Sequence, residues 1–318
     1  VVLNTNLFHN SLLFQKIIIT LYQYKQTPLN NMRKFTLLTL LYICSTLLAG
    51  AASPMDMRFH CENDTIKINS LLKEGLESNI LDGNGLIVFY AKKLLDTPYV
   101  AHTLEGEQEL LTINIDELDC TTYVETLYAL ARTTLSQRAT WRDYANNLEA
   151  VRYRNGVMNG YASRLHYICD WIVNNSARGN IKDVTPDFKC CKYLVKTIDF
   201  MSKHRDAYPA LKDSTAFEQI RNHEIGYRSH RFPYIKKTDL NSKETINTFK
   251  SGDMIGMVTK TEGLDVSHLG VVLKENGKLY FINASMSGKK VQIEKNTFAQ
   301  YLDKIRSNIG VRVFRIID

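Results

Sequence analysis

The chain has 318 residues, 44% of them hydrophobic and 23% charged, enough to bury one large core or two modest ones. Its formal charge of +7 is concentrated at the front. Lys16, Lys25, Arg33 and Lys34 precede residue 53 with no acidic residue among them, so the remainder carries +3. That balance excludes a strongly basic nucleic-acid-binding protein, and no nucleic-acid partner is expected.

Met32-Arg-Lys34, the apolar run from Phe35 and the small residues up to Ala52 have the three regions of a secretory signal at 32–52. The apolar run spans about 18 residues and ends in Ala and Gly, which favours cleavage over anchoring. Residues 1–31 read as an upstream extension outside the fold. The mature part, 53–318, is expected as one exported domain, periplasmic or in the cell envelope, with no stable membrane span after signal removal. It keeps five cysteines, at 61, 120, 169, 190 and 191. An odd count in an exported chain predicts at least one free thiol, and adjacent Cys190 and Cys191 do not suit a bridge to each other.

Along the chain, residues 84–95 place Leu86, Phe89, Tyr90 and Leu94 at helical spacing, and Thr97-Pro98 ends the pattern. A second helix is predicted from Cys120, with Val124, Leu127, Ala131 and Leu135 on one face and Asp119 or Asp116 as its N-cap. A third runs from Thr140 to about Val151, and 159–175 reads as partly helical. Residues 179–245 have weak periodicity and read as a long insert. After Ser251-Gly-Asp253 the pattern changes to strands at about 254–258, 268–273, 279–284, 290–294 and 311–317, with a short helix near 297–305. Helices followed by an antiparallel sheet make an α+β fold.

The chemistry lies where these elements start. Cys120, in Asp-Cys-Thr-Thr-Tyr, is predicted at a helix's positive end, where a thiolate is favoured. Asn276-Gly277 is a two-residue hairpin signal. With those two as the turn, His268 faces Ser285 and Asn283 is its diagonal neighbour on the same sheet face, in reach of the imidazole. Cysteine, histidine and an amide, in that order, are the parts of a papain-like nucleophile system. Tyr99, after Pro98, is a candidate substrate or oxyanion contact. Metal chemistry lacks a signature: His223, Glu224 and His230 do not have His-Glu-x-x-His spacing and no Cys-x-x-Cys occurs. No metal or cofactor is expected, and no Gly-x-Ser-x-Gly elbow or phosphate loop is present.

The blocks Asp96-Thr-Pro-Tyr99 with Thr103-Leu-Glu105, Asp119 to Glu125, Tyr153-Arg-Asn-Gly156, Gly160 to His166 with Asp170-Trp171, and Gly263 to His268 with Asn283-Ala-Ser285 are separated yet ordered. Together they resemble the N-acetylmuramoyl-L-alanine amidase-like branch of the NlpC-type cell-wall cysteine hydrolases, from about residue 84 to the C-terminus. The resemblance implies a papain-like NlpC-type fold, an exported bacterial protein and peptidoglycan or muropeptides as substrate. It places Cys120 on the nucleophile, His268 on the base and Asn283 on the third polar position, where histidine is the more usual residue. Ser163, Arg164 and Ser267 fall in substrate-binding blocks, with the Arg164 guanidinium suited to a substrate carboxylate. The implied reaction is amide hydrolysis at the muramoyl–L-Ala bond. A γ-D-glutamyl endopeptidase, acyl transfer to an amine and a non-catalytic envelope-binding protein are the alternatives.

Overall fold

The computed structural model describes residues 56–318; the extension expected at 1–31 and the signal expected at 32–52 lie outside the described residues. Helices come first. Strand β1 (Met57–Phe59) leads into α1 (Asp64–Glu77) and α2 (Gly83–Lys93), then β2 (Leu111–Ile113), α3 (Cys120–Leu135), α4 (Trp141–Arg152) and α5 (Ile168–Ala177). Next come β3 (Ile181–Asp183), β4 (Lys192–Lys196), α6 (Phe200–Lys203), α7 (Ser214–Gly226), β5 (His230–Lys236) and α8 (Lys243–Thr248). The chain ends with β6 (Met254–Thr259), β7 (Val266–Glu275), β8 (Lys278–Ser285), β9 (Lys290–Ile293), α9 (Phe298–Asp303) and β10 (Asn308–Ile316).

Eight of these strands form one sheet in the order β4-β5-β10-β6-β7-β8-β9, with β3 also pairing β10, and its pairings are antiparallel. Strands β1 and β2 pair parallel in a small separate sheet. The mixed α+β architecture expected from the sequence is therefore present. Among the described residues no helix is long and apolar enough to cross a membrane.

Strand alternation gives the large sheet two apolar faces. Leu269 and Val271 of β7 and Ile282 and Ala284 of β8 pack in one core with Val124, Leu127 and Leu130 of α3. Residues one step out of phase, Val272, Leu279 and Phe281, join Phe249, Phe298 and Leu302 on the other face. The β7–β8 hairpin is closed by Asn276 at φ +50 and Gly277 at φ +72, both left-handed, as a type I′ turn requires. Its register, from Glu275↔Lys278 to Val271↔Ile282, is the one that the Asn-Gly turn predicts.

Residues 179–245 differ from the sequence reading. They supply β3, β4 and β5, so the region expected as an insert extends the main sheet. Tyr193 and Val195 of β4 are 51% and 59% exposed, so this strand has no buried alternation for the sequence to display. The five cysteines at 61, 120, 169, 190 and 191 are all free thiols. Buried Cys169 accepts a hydrogen bond from Arg312 Nη1 at 3.3 Å.

Candidate active site

Helix α3 begins at Cys120 because Asp119 caps it. Asp119 is extended (φ −95°, ψ −178°), and its Oδ1 accepts from the N–H groups of Thr121 at 3.0 Å and Thr122 at 2.8 Å. The Thr122 hydroxyl returns a contact to the Asp119 N–H at 2.9 Å, closing a capping box. Asp116, the other candidate cap, is instead ion-paired to Lys67. The cap has a chemical consequence. Two of the helix-start N–H groups are taken by Asp119, so of the first three only that of Cys120 is left beside the sulfur.

The Cys120 sulfur lies against the backbone of Leu269, which hydrogen-bonds to it, and Leu269 follows His268 in β7. Burial nevertheless pushes the Cys120 thiol up to about 12, and the Asp119 carboxylate adds to that; the Leu269 backbone, the Thr121 hydroxyl and the Cys120 N–H oppose it. This departs from the depressed thiol expected at a helix N-terminus, because desolvation and the capping carboxylate outweigh the backbone donors.

His268 is half-buried and its Nε2 is 2.9 Å from Asn283 Oδ1. Asn283 is fully buried and its Nδ2 donates to Glu294 Oε1 at 3.0 Å. A carboxylate accepts and cannot donate, so the amide nitrogen faces Glu294 and the amide oxygen faces the ring. His268 Nε2 must then carry the proton, which leaves Nδ1 as the basic nitrogen. Burial lowers the His268 pKa below 6.5, against the Asn283 contact and the negative charges of Glu294 and Asp119. Both shifts favour the neutral forms, a thiol on Cys120 and an imidazole on His268. Iodoacetamide labelling of Cys120 in the substrate-free protein is therefore expected to accelerate steadily from pH 7 to 10, as the thiolate fraction grows about tenfold per pH unit below the thiol pKa. A rate that is flat from pH 6 upward, read by mass spectrometry of the Cys120 peptide, would mean a preformed thiolate.

The other sequence candidates divide. Tyr99 is half-buried and packs beside Cys120; burial raises its phenol pKa, and the nearness of Cys120 and Asp119 raises it further. Ser267 is exposed at the irregularity where the β6–β7 register shifts, next to His268. Ser163 lies elsewhere: its hydroxyl donates to Gly160 O at 2.7 Å and accepts from Asn159 N at 2.8 Å. It lines a cavity of about 330 Å³ with Arg154, Asn159, Gln219, Asn222 and His223, whose lining includes neither Cys120 nor His268.

Arg164 is engaged within the protein. It is 8% exposed, with Nη1 on Glu105 at 2.9 Å and Nη2 on Glu109 at 2.8 Å, while its Nε has no partner. Both prongs of the fork are held by internal carboxylates, so it is not free to grip a substrate carboxylate bidentately. Glu294 and Gln292, whose Nε2 donates to Glu294 Oε1 at 3.0 Å, are the residues that the sequence reading missed. Of the rival metal residues, Glu224 accepts from Tyr167 Oη at 2.7 Å and Ser202 N at 3.0 Å. Among the described residues the one group of metal-type donors that come together is Cys61, Asp64 and Asp116, which does not include His223 or His230.

Several comparisons bear on this arrangement. A family model described as AmiA-like, N-acetylmuramoyl-L-alanine amidase-like, matches residues 90–311. The crystal structure of an N-acetylmuramoyl-L-alanine amidase from Bacteroides uniformis is similar at 36% identity and TM-score 0.70, covering 74% of this chain and 99% of that one. A Bacteroides fragilis protein solved under a xylanase name is similar at 37% identity and TM-score 0.67, over 71% of this chain and 98% of that one. Protein LPG0564 of Legionella pneumophila, at 23% identity and TM-score 0.61 over 80% of this chain and 95% of that one, shares the fold. No curated protein matches the chain. The family match covers most of the chain, from the end of α2 into β10 and across the Cys120, His268 and Asn283 elements; the chain belongs to the N-acetylmuramoyl-L-alanine amidase-like family.

Proposed function

We propose that the protein is an exported peptidoglycan hydrolase of the papain-like NlpC type that cleaves the amide between the muramoyl lactyl group and L-Ala, using Cys120, His268 and Asn283. The carrying observation is the orientation of the imidazole: Nε2–H is held by Asn283 Oδ1 at 2.9 Å, leaving Nδ1 as base on the residue next to Leu269, whose backbone meets the Cys120 sulfur. As the sulfur adds to the amide carbonyl carbon, His268 Nδ1 takes the thiol proton, and it then gives that proton to the departing amine of L-Ala. Water, deprotonated by the same nitrogen, hydrolyses the thioester and frees the sulfur.

The oxyanion needs donors at the start of α3. With Thr121 and Thr122 committed to Asp119, the Cys120 N–H and the Tyr99 phenol are the groups assigned to it. Exposed Ser267 is assigned to substrate beside the base, and Ser163 to a more distant part of it. Export is supported by the signal-like segment at 32–52.

Mass analysis of products from the mature chain and a defined disaccharide–peptide muropeptide tests the reading. Free stem peptide plus disaccharide is expected. Release of an L-Ala-D-Glu unit, alone or on the sugar, would replace it with the endopeptidase. Depolymerised xylan with intact muropeptide would replace it with a glycosidase.

A further inference from the structure

The hydrogen bonds around His268 extend one residue beyond the triad. Asn283 pairs directly with Gln292 across β8 and β9, and the period of two carries the chain on that face to Glu294. Glu294 is fixed there by its backbone N–H, which donates to Phe281 O at 2.8 Å. Its Oε1 receives Asn283 Nδ2 and Gln292 Nε2, each at 3.0 Å, on the far side of the amide from the imidazole. A row of side chains thus crosses three strands: His268, Asn283, then Gln292 and Glu294.

We infer that Glu294 is a positioning residue for the proposed hydrolysis: it fixes which end of the Asn283 amide faces His268, and thereby which ring nitrogen is the base. An asparagine amide has two ends of nearly equal shape. With its NH₂ toward the ring, Nε2 would have to accept, the proton would move to Nδ1, and Nδ1 would no longer be the basic nitrogen. An ionised carboxylate on the other side removes that alternative because it accepts only. A histidine here would need a similar selection, because which of its ring nitrogens accepts depends on its tautomer. The pairing of asparagine with Glu294 accounts for how an amide can serve here.

The inference rests on the hydrolase reading for its kinetic consequence, but its structural half can be measured without substrate. In ¹⁵N-histidine-labelled protein, the ring-nitrogen shifts of His268 are expected to report the Nε2–H form in the parent chain and an added Nδ1–H population in Glu294→Met. On muropeptide, that variant is expected to lose about tenfold in kcat with KM changed less than about twofold. The charged and titratable groups around this pair are Glu294 and Asp119 toward the ring, and Cys120 with Tyr99 and Tyr301 beside it. Loss of the Glu294 charge is expected to move the acid limb of kcat/KM to lower pH, since of the two negative charges that favour the imidazolium only Asp119 remains. Glu294→Gln is isosteric, guards against a folding failure and keeps an acceptor without the charge, so it should shift the acid limb while retaining more of the Nε2–H form. An unchanged His268 tautomer and an unmoved acid limb in folded variants would overturn the assignment. Absence of turnover in the parent chain would instead remove the hydrolase reading and leave the tautomer measurement to decide the role of Glu294.

Discussion

Arg152→Met is expected to destabilise the protein by about 3–5 kcal/mol, lowering its melting temperature by roughly 10 °C. Arg152 Nε meets Glu125 Oε2 at 2.7 Å, with both side chains only 3% exposed, and its Nη1 donates to Thr112 O at 2.8 Å. Glu125 lies on α3, little more than a turn after Cys120, so this pair ties the Cys120 helix to α4 and β2. Removing the guanidinium leaves a carboxylate in the core without its hydrogen-bonded counter-charge. Burial already pushes the Glu125 carboxyl up while Arg152 opposes it, so without Arg152 the folded pKa rises further above the unfolded one. A group raised in this way favours the fold below its unfolded pKa and loses that contribution as pH rises through its folded pKa. The defect of the single variant should therefore be smaller at pH 5 than at pH 8. The double variant Glu125→Met/Arg152→Met should recover most of the loss, because the pair is replaced by side chains that need no partner. Thermal melts at both pH values check this; a defect independent of pH, undiminished in the double variant, would locate the cost in packing.

The sequence revealed the site best where local signals fixed geometry. Asp-Cys-Thr-Thr carries its own capping box, and the Asn-Gly turn sets a register that brings Asn283 diagonally next to His268, as the 2.9 Å contact bears out. Glu294 was not legible. Its place depends on the β8–β9 pairing of Asn283 with Gln292, for which no tight turn sets the count. The ion pairs of Arg164 were not legible for a related reason: its carboxylate partners stand 59 and 55 residues away in the chain, and nothing local marks them. The acidity expected of Cys120 is opposed by a contribution that no local pattern displays. The helix end was read correctly, but the desolvation that dominates the thiol comes from the surrounding core. Strands β3 to β5 were missed because they join the sheet partly through side chains that stay in solvent, so no apolar alternation announces them.

The central claim is that one sulfur, on Cys120, makes the bond to the substrate carbonyl. Cys120 is half-buried at the first position of a well-capped helix, so alanine there should leave the fold and the melting temperature nearly unchanged. Removing the nucleophile of a covalent mechanism removes the whole path, and residual binding and oxyanion contacts do not replace it. The direct measurement is turnover of a defined muropeptide by Cys120→Ala beside the parent chain at matched folded concentration. A fall of at least about 10⁴-fold is expected; a rate within tenfold of the parent would contradict the account.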